Sequence, residues 1–285
     1  MQTKLAPRKK PKRKRRVRKL TVPALPTAFT LANGVCGLAA ITVVTSHTAH
    51  HSQVELAFFA ALLIFLGMVF DVLDGHVARM TRQTTQFGKE LDSLCDVITF
   101  GIAPVFIMLT YDALFQKRFL WGIGVLYAVS AILRLARFNV QKEEGASTKY
   151  FHGLPTPMAA GTIASFAIAM PSLLELPDVI VPEVTHALGR DLSAMSHLIM
   201  PVMTVFLAWL MVSRVRYPHI VAELARRRSF SQLVELVFAV VVVITLKEVA
   251  LPILFGYFII APPINQLRLR ALGARNQQAA EPAEV

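Results

Sequence analysis

The chain predicts an all-α fold: a polytopic membrane bundle of about eight transmembrane helices with both termini in the cytoplasm. Three observations carry that prediction. Apolar residues make up 54% of the 285 positions and charged residues only 17%, against roughly 25% charged in an average soluble domain. Apolar runs recur at about the 20 residues a helix needs to cross the hydrocarbon core. The formal net charge of +12 is concentrated, with eleven of the 30 Lys and Arg between Lys4 and Lys19 and no acid among them. These features exclude a soluble domain with a basic surface, a wholly disordered chain and a disulfide scaffold.

Residues 1–20, rich in Lys, Arg and Pro, read as a disordered basic cytoplasmic tail. Beside a hydrophobic body such a tail is drawn to anionic membrane lipid, at about 1 kcal/mol per charge. That reading is preferred to specific nucleic-acid binding. Residues 21–265 form the transmembrane domain, and 266–285 a cytoplasmic C-terminal tail. Apolar segments fall near 23–46, 54–79, 92–111, 119–138, 156–176, 196–213, 231–247 and 249–265. The first is long for a secretory signal and lacks an A-x-A cleavage pattern, so it reads as a retained span. The last two are short. Merging them into one span broken at Lys247-Glu248 would carry the C-terminal arginines to the other side. Kept separate, they place 26 of the 30 Lys and Arg on the cytoplasmic side, as the positive-inside rule asks. Residues 140–152 then form a cytoplasmic loop and 177–195 an external one. His47, His50 and His51 read as a polar cap of the first external turn rather than a metal site. Cys36 and Cys95, both in apolar stretches, read as reduced core residues.

The informative stretch is DVLDGHVARMTRQTTQFGKELDSLCDV, residues 71–97. It ends one apolar segment and begins the next. Asp71 and Asp74 are i,i+3 and share one helix face; Asp92 and Asp96 are i,i+4 and share another. A short turn near Thr81 to Phe87 makes the two helices antiparallel neighbours, so four carboxylates converge at their cytoplasmic ends. Acids within spans are costly and default to functional roles. Four together repel unless something positive sits between them. Hard oxygen ligands suggest Mg²⁺ or Mn²⁺ rather than zinc. Their number suits two ions about 4 Å apart, an arrangement used for in-line displacement at phosphorus. Gly75 and Ala78 would let a flat base or sugar lie against the helix, Arg79 would meet phosphate oxygens, and Gly88 would allow close helix approach or remove a side chain from the pocket.

The pattern Asp71-x2-Asp74-Gly75-x2-Ala78-Arg79-x8-Gly88-x3-Asp92-x3-Asp96 resembles the complete signature of the CDP-alcohol phosphatidyltransferase family. Further stretches are similar to the membrane-integral phosphatidylserine synthases of bacteria: 25–41, 92–104, 134–140, 151–161 and 210–218. One departure is Pro26-Thr27, where relatives often have Pro-Asn. The resemblance covers most of residues 21–260. It implies transfer of the phosphatidyl group of CDP-diacylglycerol to L-serine with release of CMP, in a homodimer of the bacterial inner membrane whose active site faces the cytoplasm. It implies that Asp71 and Asp92 touch both metals, Asp74 the first and Asp96 the second. Asp96 would also be the general base on the serine hydroxyl. Gly75 and Arg79 would bind the CDP moiety, with Thr85 and Asn33 as further contacts.

On the acceptor side, Arg134 and Arg137 share a helix face, with Asn139 just beyond. They read either as a fork for the serine carboxylate or as anchors snorkelling to headgroups. Pro155 and Pro157, with Thr156 between them, make a rigid turn that shapes the serine pocket or starts the fifth span. Three rival functions are a sister transferase using glycerol 3-phosphate, inositol phosphate or an archaeal-type lipid donor, a cation transporter, and a nucleic-acid-binding membrane anchor that rests only on residues 4–19. A transporter would string its acids along a path through mid-bilayer; here they cluster at one end.

Overall fold

The computed structural model describes residues 24–46, 51–81, 85–111, 114–143, 150–174, 182–213, 215–218 and 250–264. The basic tail, the segment 231–247, the C-terminal tail, His47 and His50 lie outside them, as does the middle of the 140–152 loop.

Helix α1 (Ala24–Thr45) leads into α2 (Gln53–Met80). A capping box starts α2: the Glu55 N–H donates to Ser52 Oγ, and the Ser52 N–H donates to Glu55 Oε2. His51 joins this cap, with Nδ1 3.2 Å from Glu55 Oε2.

The third span begins earlier than its apolar run. It comprises α3 (Gln86–Asp96), a π-helical turn (Val97–Ile102) and α4 (Ala103–Leu109). The π turn has a local cause. Pro104 has no N–H to donate to the Phe100 carbonyl four residues back. The buried Tyr127 of α5 (Lys117–Glu143) supplies the missing donor, its hydroxyl lying 3.2 Å from that carbonyl.

After α5 come strand β1 (Tyr150–His152), α6 (Thr156–Leu174), α7 (Pro182–Val212), strand β2 (Arg216–Pro218) and α8 (Ala250–Ile264). The two strands pair antiparallel, with Phe151 opposite Tyr217. The external loop expected at 177–195 is corrected: residues 182–195 are the first half of α7. Their polarity ends the apolar run but does not oppose a helix. Pro182 sits at the first helical position, where its lost N–H costs nothing, and Glu, Ala, Leu and Arg favour helix.

Five helical spans among the described residues are long and apolar enough to cross a membrane: Leu25–Thr45, Gln53–Met80, Gln86–Leu109, Lys117–Val140 and Met195–Val212. The side chains agree. Val125, Leu133, Val202 and Trp209 project outward, half or more exposed, while the buried faces carry Ala57, Ala60 and Ala61 of α2 and Ala159, Ala160, Ala164 and Ala167 of α6. Lipid is as apolar as leucine, so bilayer helices associate by close packing of small residues rather than by burying large ones. Helix α6 is buried almost all round from Ala159 to Met170 and forms the centre of the bundle.

The tightest packing lies where α1, α2 and the π turn meet. A Cβ on Gly37 would stand 2.5 Å from Thr99 Oγ1, and one on Gly67 would stand 2.7 Å from Thr99 Cγ2. Only glycine fits at either position. Gly37→Val should therefore destabilise the bundle by about 1–3 kcal/mol through overpacking, read as a lower thermal midpoint in detergent. Gly122→Ala, on open helix with nothing within 4 Å, should hold the midpoint or raise it, because Ala favours helix by about 1 kcal/mol over Gly. Equal losses in both variants would refute the close-approach account.

Candidate active site

Helix α2 runs on for six residues beyond Asp74, about 9 Å of rise. Asp71 and Asp74 therefore sit inside the helix, facing α3. One carboxylate oxygen from each of Asp71, Asp74 and Asp92 lies within 4.8 Å of the others. Asp96, a turn beyond Asp92, lines the same cavity of about 540 Å³, together with Gly75, Arg79, Ser93, Arg134, Phe138, Asn139, Pro155 and Pro157. All four predicted acids thus meet.

Asp74 and Asp96 are buried, and Asp74 Oδ2 has no hydrogen-bond partner among the described residues. Among those residues, Asp71, Asp74 and Asp96 are not ion-paired with Arg79 or Lys89. Two carboxylates at 4.8 Å repel by about 3 kcal/mol at an effective dielectric near 20. A hard divalent cation fits this donor set: oxygen only, anionic, with a buried lone pair left over.

The other predicted residues separate into those that reach the cavity and those that do not. Gly75 and Arg79 line it, and a Cβ on Gly75 would meet nothing nearer than Arg79 Nη1 at 3.8 Å. Ala78 is half-buried and lies off the lining. Thr85 and Gly88 build the start of α3: Thr85 is its N-cap, and its Oγ1 accepts from the Gly88 N–H at 3.0 Å. Asn33 is fully buried behind the wall and donates from Nδ2 to Asp96 Oδ1 at 3.1 Å.

Arg134 points inward. Its Nη1 donates to the buried Thr156 Oγ1 at 2.8 Å, and its guanidinium sits 5.6 Å from the Phe138 ring centre. It is therefore held in the site by protein groups, whereas Arg137 is exposed and off the cavity. Asn139 Nδ2 donates to Ser93 Oγ at 2.8 Å and ties α5 to α3 beside the acids. Ser93 and Phe138 went unread in the sequence. Their only signal was their place beside Asp92 and one turn beyond Arg134.

The turn carrying Pro155 is fixed from behind. The Gly153 N–H donates to the Val215 carbonyl at 2.8 Å and the Leu154 N–H to the Leu210 carbonyl at 3.1 Å. Gly153 has φ +85° and presses on the Met211 carbonyl, a place no side chain could occupy. Buried Tyr217 completes the tether, donating to the Ile259 carbonyl of α8 at 3.4 Å. Burial pushes its phenol up to about 12, so it is a neutral donor.

Fold and site together define a helical integral membrane protein with an acidic, cation-compatible cavity at one end of its spans. The family model of the CDP-alcohol phosphatidyltransferases matches residues 23–212. The chain therefore belongs to that family. It is 32% identical over 200 residues to CDP-diacylglycerol–serine O-phosphatidyltransferase of Bacillus subtilis, covering 68% of this chain and 90% of the relative. It is 38% identical over 147 residues to the protein of the same name from Saccharomyces cerevisiae, covering 49% of this chain and 51% of the relative. It is 47% identical over 110 residues to archaetidylserine synthase of Methanothermobacter thermautotrophicus, covering 38% of this chain and 45% of the relative. The chain thus spans most of the first relative and about half of the other two.

Mn²⁺ titrated into the purified protein and followed by electron paramagnetic resonance should bind. Asp74→Asn should weaken that binding at least about tenfold, since even outer-shell partners of a metal site contribute that much. Unchanged binding would remove Asp74 from the site.

Proposed function

We propose that this protein transfers the phosphatidyl group of CDP-diacylglycerol to the hydroxyl of L-serine, giving phosphatidylserine and CMP. The observation that carries the reading is the meeting of four aspartates with one inward-held arginine in a single cavity at the end of the spans. The names of the similar proteins support serine as acceptor.

In this reading Asp71, Asp74 and Asp92 would hold one divalent cation, and Asp71, Asp92 and Asp96 a second, either Mg²⁺ or Mn²⁺. Bound there, the cations would offset the charge of the diphosphate and of the departing CMP. Arg79 meets diphosphate oxygens, and Gly75 leaves room for the nucleotide. Asp96 takes the proton of the serine hydroxyl, which is too weak a nucleophile unaided at neutral pH. The serine oxygen forms a bond to the lipid-bearing phosphorus. The bond from that phosphorus to the bridging oxygen breaks, and its electron pair leaves with CMP. Arg134 takes the serine carboxylate through donors not used on Thr156. The acyl chains stay in the bilayer while serine enters from the water.

The charge split of the sequence supports a cytoplasmic site, both termini inside and eight crossings in a bacterial inner membrane. The tail at residues 4–19 would add attraction to anionic lipid. These parts of the reading, the second ion and a homodimer go with the proposal.

CMP release by detergent-purified protein, with serine, glycerol 3-phosphate and inositol phosphate as parallel acceptors, tests the reaction. Release should need a divalent cation, stop with EDTA and occur with serine alone. Release only with a phosphorylated acceptor would keep the aspartate centre and discard the serine reading. Asp96→Asn should lower kcat by about 10² to 10⁴-fold, the usual worth of a general base. Arg134→Ala should raise the KM for serine about ten- to a hundredfold, the worth of a hydrogen bond to a charged group, and leave that for CDP-diacylglycerol nearly unchanged. An unchanged serine KM would return Arg134 to a purely structural role.

A further inference from the structure

We propose that Asn33 is a positioning residue for Asp96: from behind the cavity it fixes one oxygen of the carboxylate and leaves the other for the reaction. The inference rests on the reading of Asp96 as the base.

Asn33 lies on α1, fully buried and off the cavity lining, so a direct contact with the nucleotide does not describe it. It is gripped at two points by one turn of the third span. Its Nδ2 donates to Asp96 Oδ1 at 3.1 Å, and its backbone carbonyl accepts from Thr99 Oγ1 at 2.8 Å. An ionised carboxylate only accepts, so the amide nitrogen is the end that faces it. Asp96 and Thr99 flank the point where α3 gives way to the π turn. The grip therefore sets both the height and the rotation of Asp96 against α1.

The amide is also confined. A Cβ on Gly67 would stand 3.0 Å from Asn33 Oδ1, so α2 backs the amide closely. That oxygen has no hydrogen-bond partner among the described residues. Burying a half-satisfied amide is unfavourable, and an apolar side chain of the same size would pack the three helices without that cost. What Asn33 adds is a donor. The carboxylate torsion of an aspartate is broad and nearly two-fold. One fixed donor on Oδ1 selects a single orientation; it leaves Oδ2 for the serine proton and the second lone pair of Oδ1 for the cation.

The test is steady-state CMP release by the full-length protein, varying CDP-diacylglycerol and serine, for Asn33→Ala, Asn33→Leu, Asp96→Asn and the double variant Asp96→Asn with Asn33→Ala. Leucine keeps the branching and heavy-atom count of asparagine without its donor and leaves no cavity, so it reads the same loss if the alanine variant unfolds. Either Asn33 variant should lower kcat about ten- to a hundredfold, as expected for one hydrogen bond to a charged acceptor, with both KM values held within about threefold. In the Asp96→Asn background the same change should cost no more than about twofold, because residues acting as a unit are not additive. A raised KM for CDP-diacylglycerol with kcat preserved would make Asn33 a nucleotide contact and overturn the proposal. A full further loss in the double variant would show that Asn33 acts independently of Asp96 and would also overturn it. Near-normal turnover by Asp96→Asn would sink the base reading and this inference together; loss there with normal Asn33 variants would sink the inference alone.

Discussion

The site depends on how closely three helices approach at one level of the bundle. Gly37 of α1 and Gly67 of α2 both abut Thr99, and Thr99 bonds the Asn33 carbonyl. That junction fixes the third span against the first two. Because α2 carries Asp71 and Asp74 and the third span carries Asp92 and Asp96, it also sets the distance between the acid pairs. A side chain at either glycine would push the helices apart, and the acid pairs with them. In lipid, packing of this kind is the main force available, since burying larger apolar groups gains nothing. The same small residues that hold the membrane fold together therefore set the geometry of the site.

The acids in turn place a demand on the scaffold. Carboxylates within 4.8 Å would separate if their helices could yield. The helices are restrained at both ends. The glycine junction lies on the bilayer side of the acids, and the Thr85 cap begins α3 on the other. The π turn between Asp96 and α4 is part of this restraint. Beside it, Pro104 leaves the Phe100 carbonyl without its helical donor and Tyr127 binds it, so α5 is joined to the third span by a bond that an unbroken helix would not offer. Arg134 sits two turns further along α5 on the cavity wall. The bond that repairs a proline-induced gap thus also helps place the arginine.

The donor half of the site was legible in the sequence because helix geometry turns spacing into direction: i,i+3 and i,i+4 pairs must share a face. Five of the eight expected spans were legible because hydropathy is summed over many residues. The π turn was not, since it follows from one missing N–H at Pro104 and a hydroxyl from a different helix. The start of α7 at Pro182 was missed because it begins with polar, helix-favouring residues, and a search for apolar runs truncates helices that extend into water. Asn33 and Thr85 entered as ligand contacts through the family resemblance, and a sequence does not show which side of the cavity wall a residue occupies. Arg134 and Arg137 looked equivalent at i,i+3. Three residues turn a helix by about 300°, so the two point some 60° apart, enough for one to enter the cavity and the other to face outward.

The cavity walls come from two sources with different constraints. The acid wall belongs to α2 and α3, rigid helices locked to α1. The opposite wall belongs to the end of α5 and the Pro155 turn, and it is held from outside the cavity by the short β ribbon, by the tail of α7 and, through Tyr217, by α8. Chemistry at phosphorus is the same whatever alcohol attacks, so the first wall has little freedom to vary. In the proposed reaction the second wall recognises the alcohol, and it can be retuned by moving one turn and one arginine without disturbing the acids. In the proposed reaction the tether behind Gly153 therefore bears on acceptor choice rather than on the chemical step. Pro155 keeps its place only as long as residues some sixty positions later in the chain hold it there.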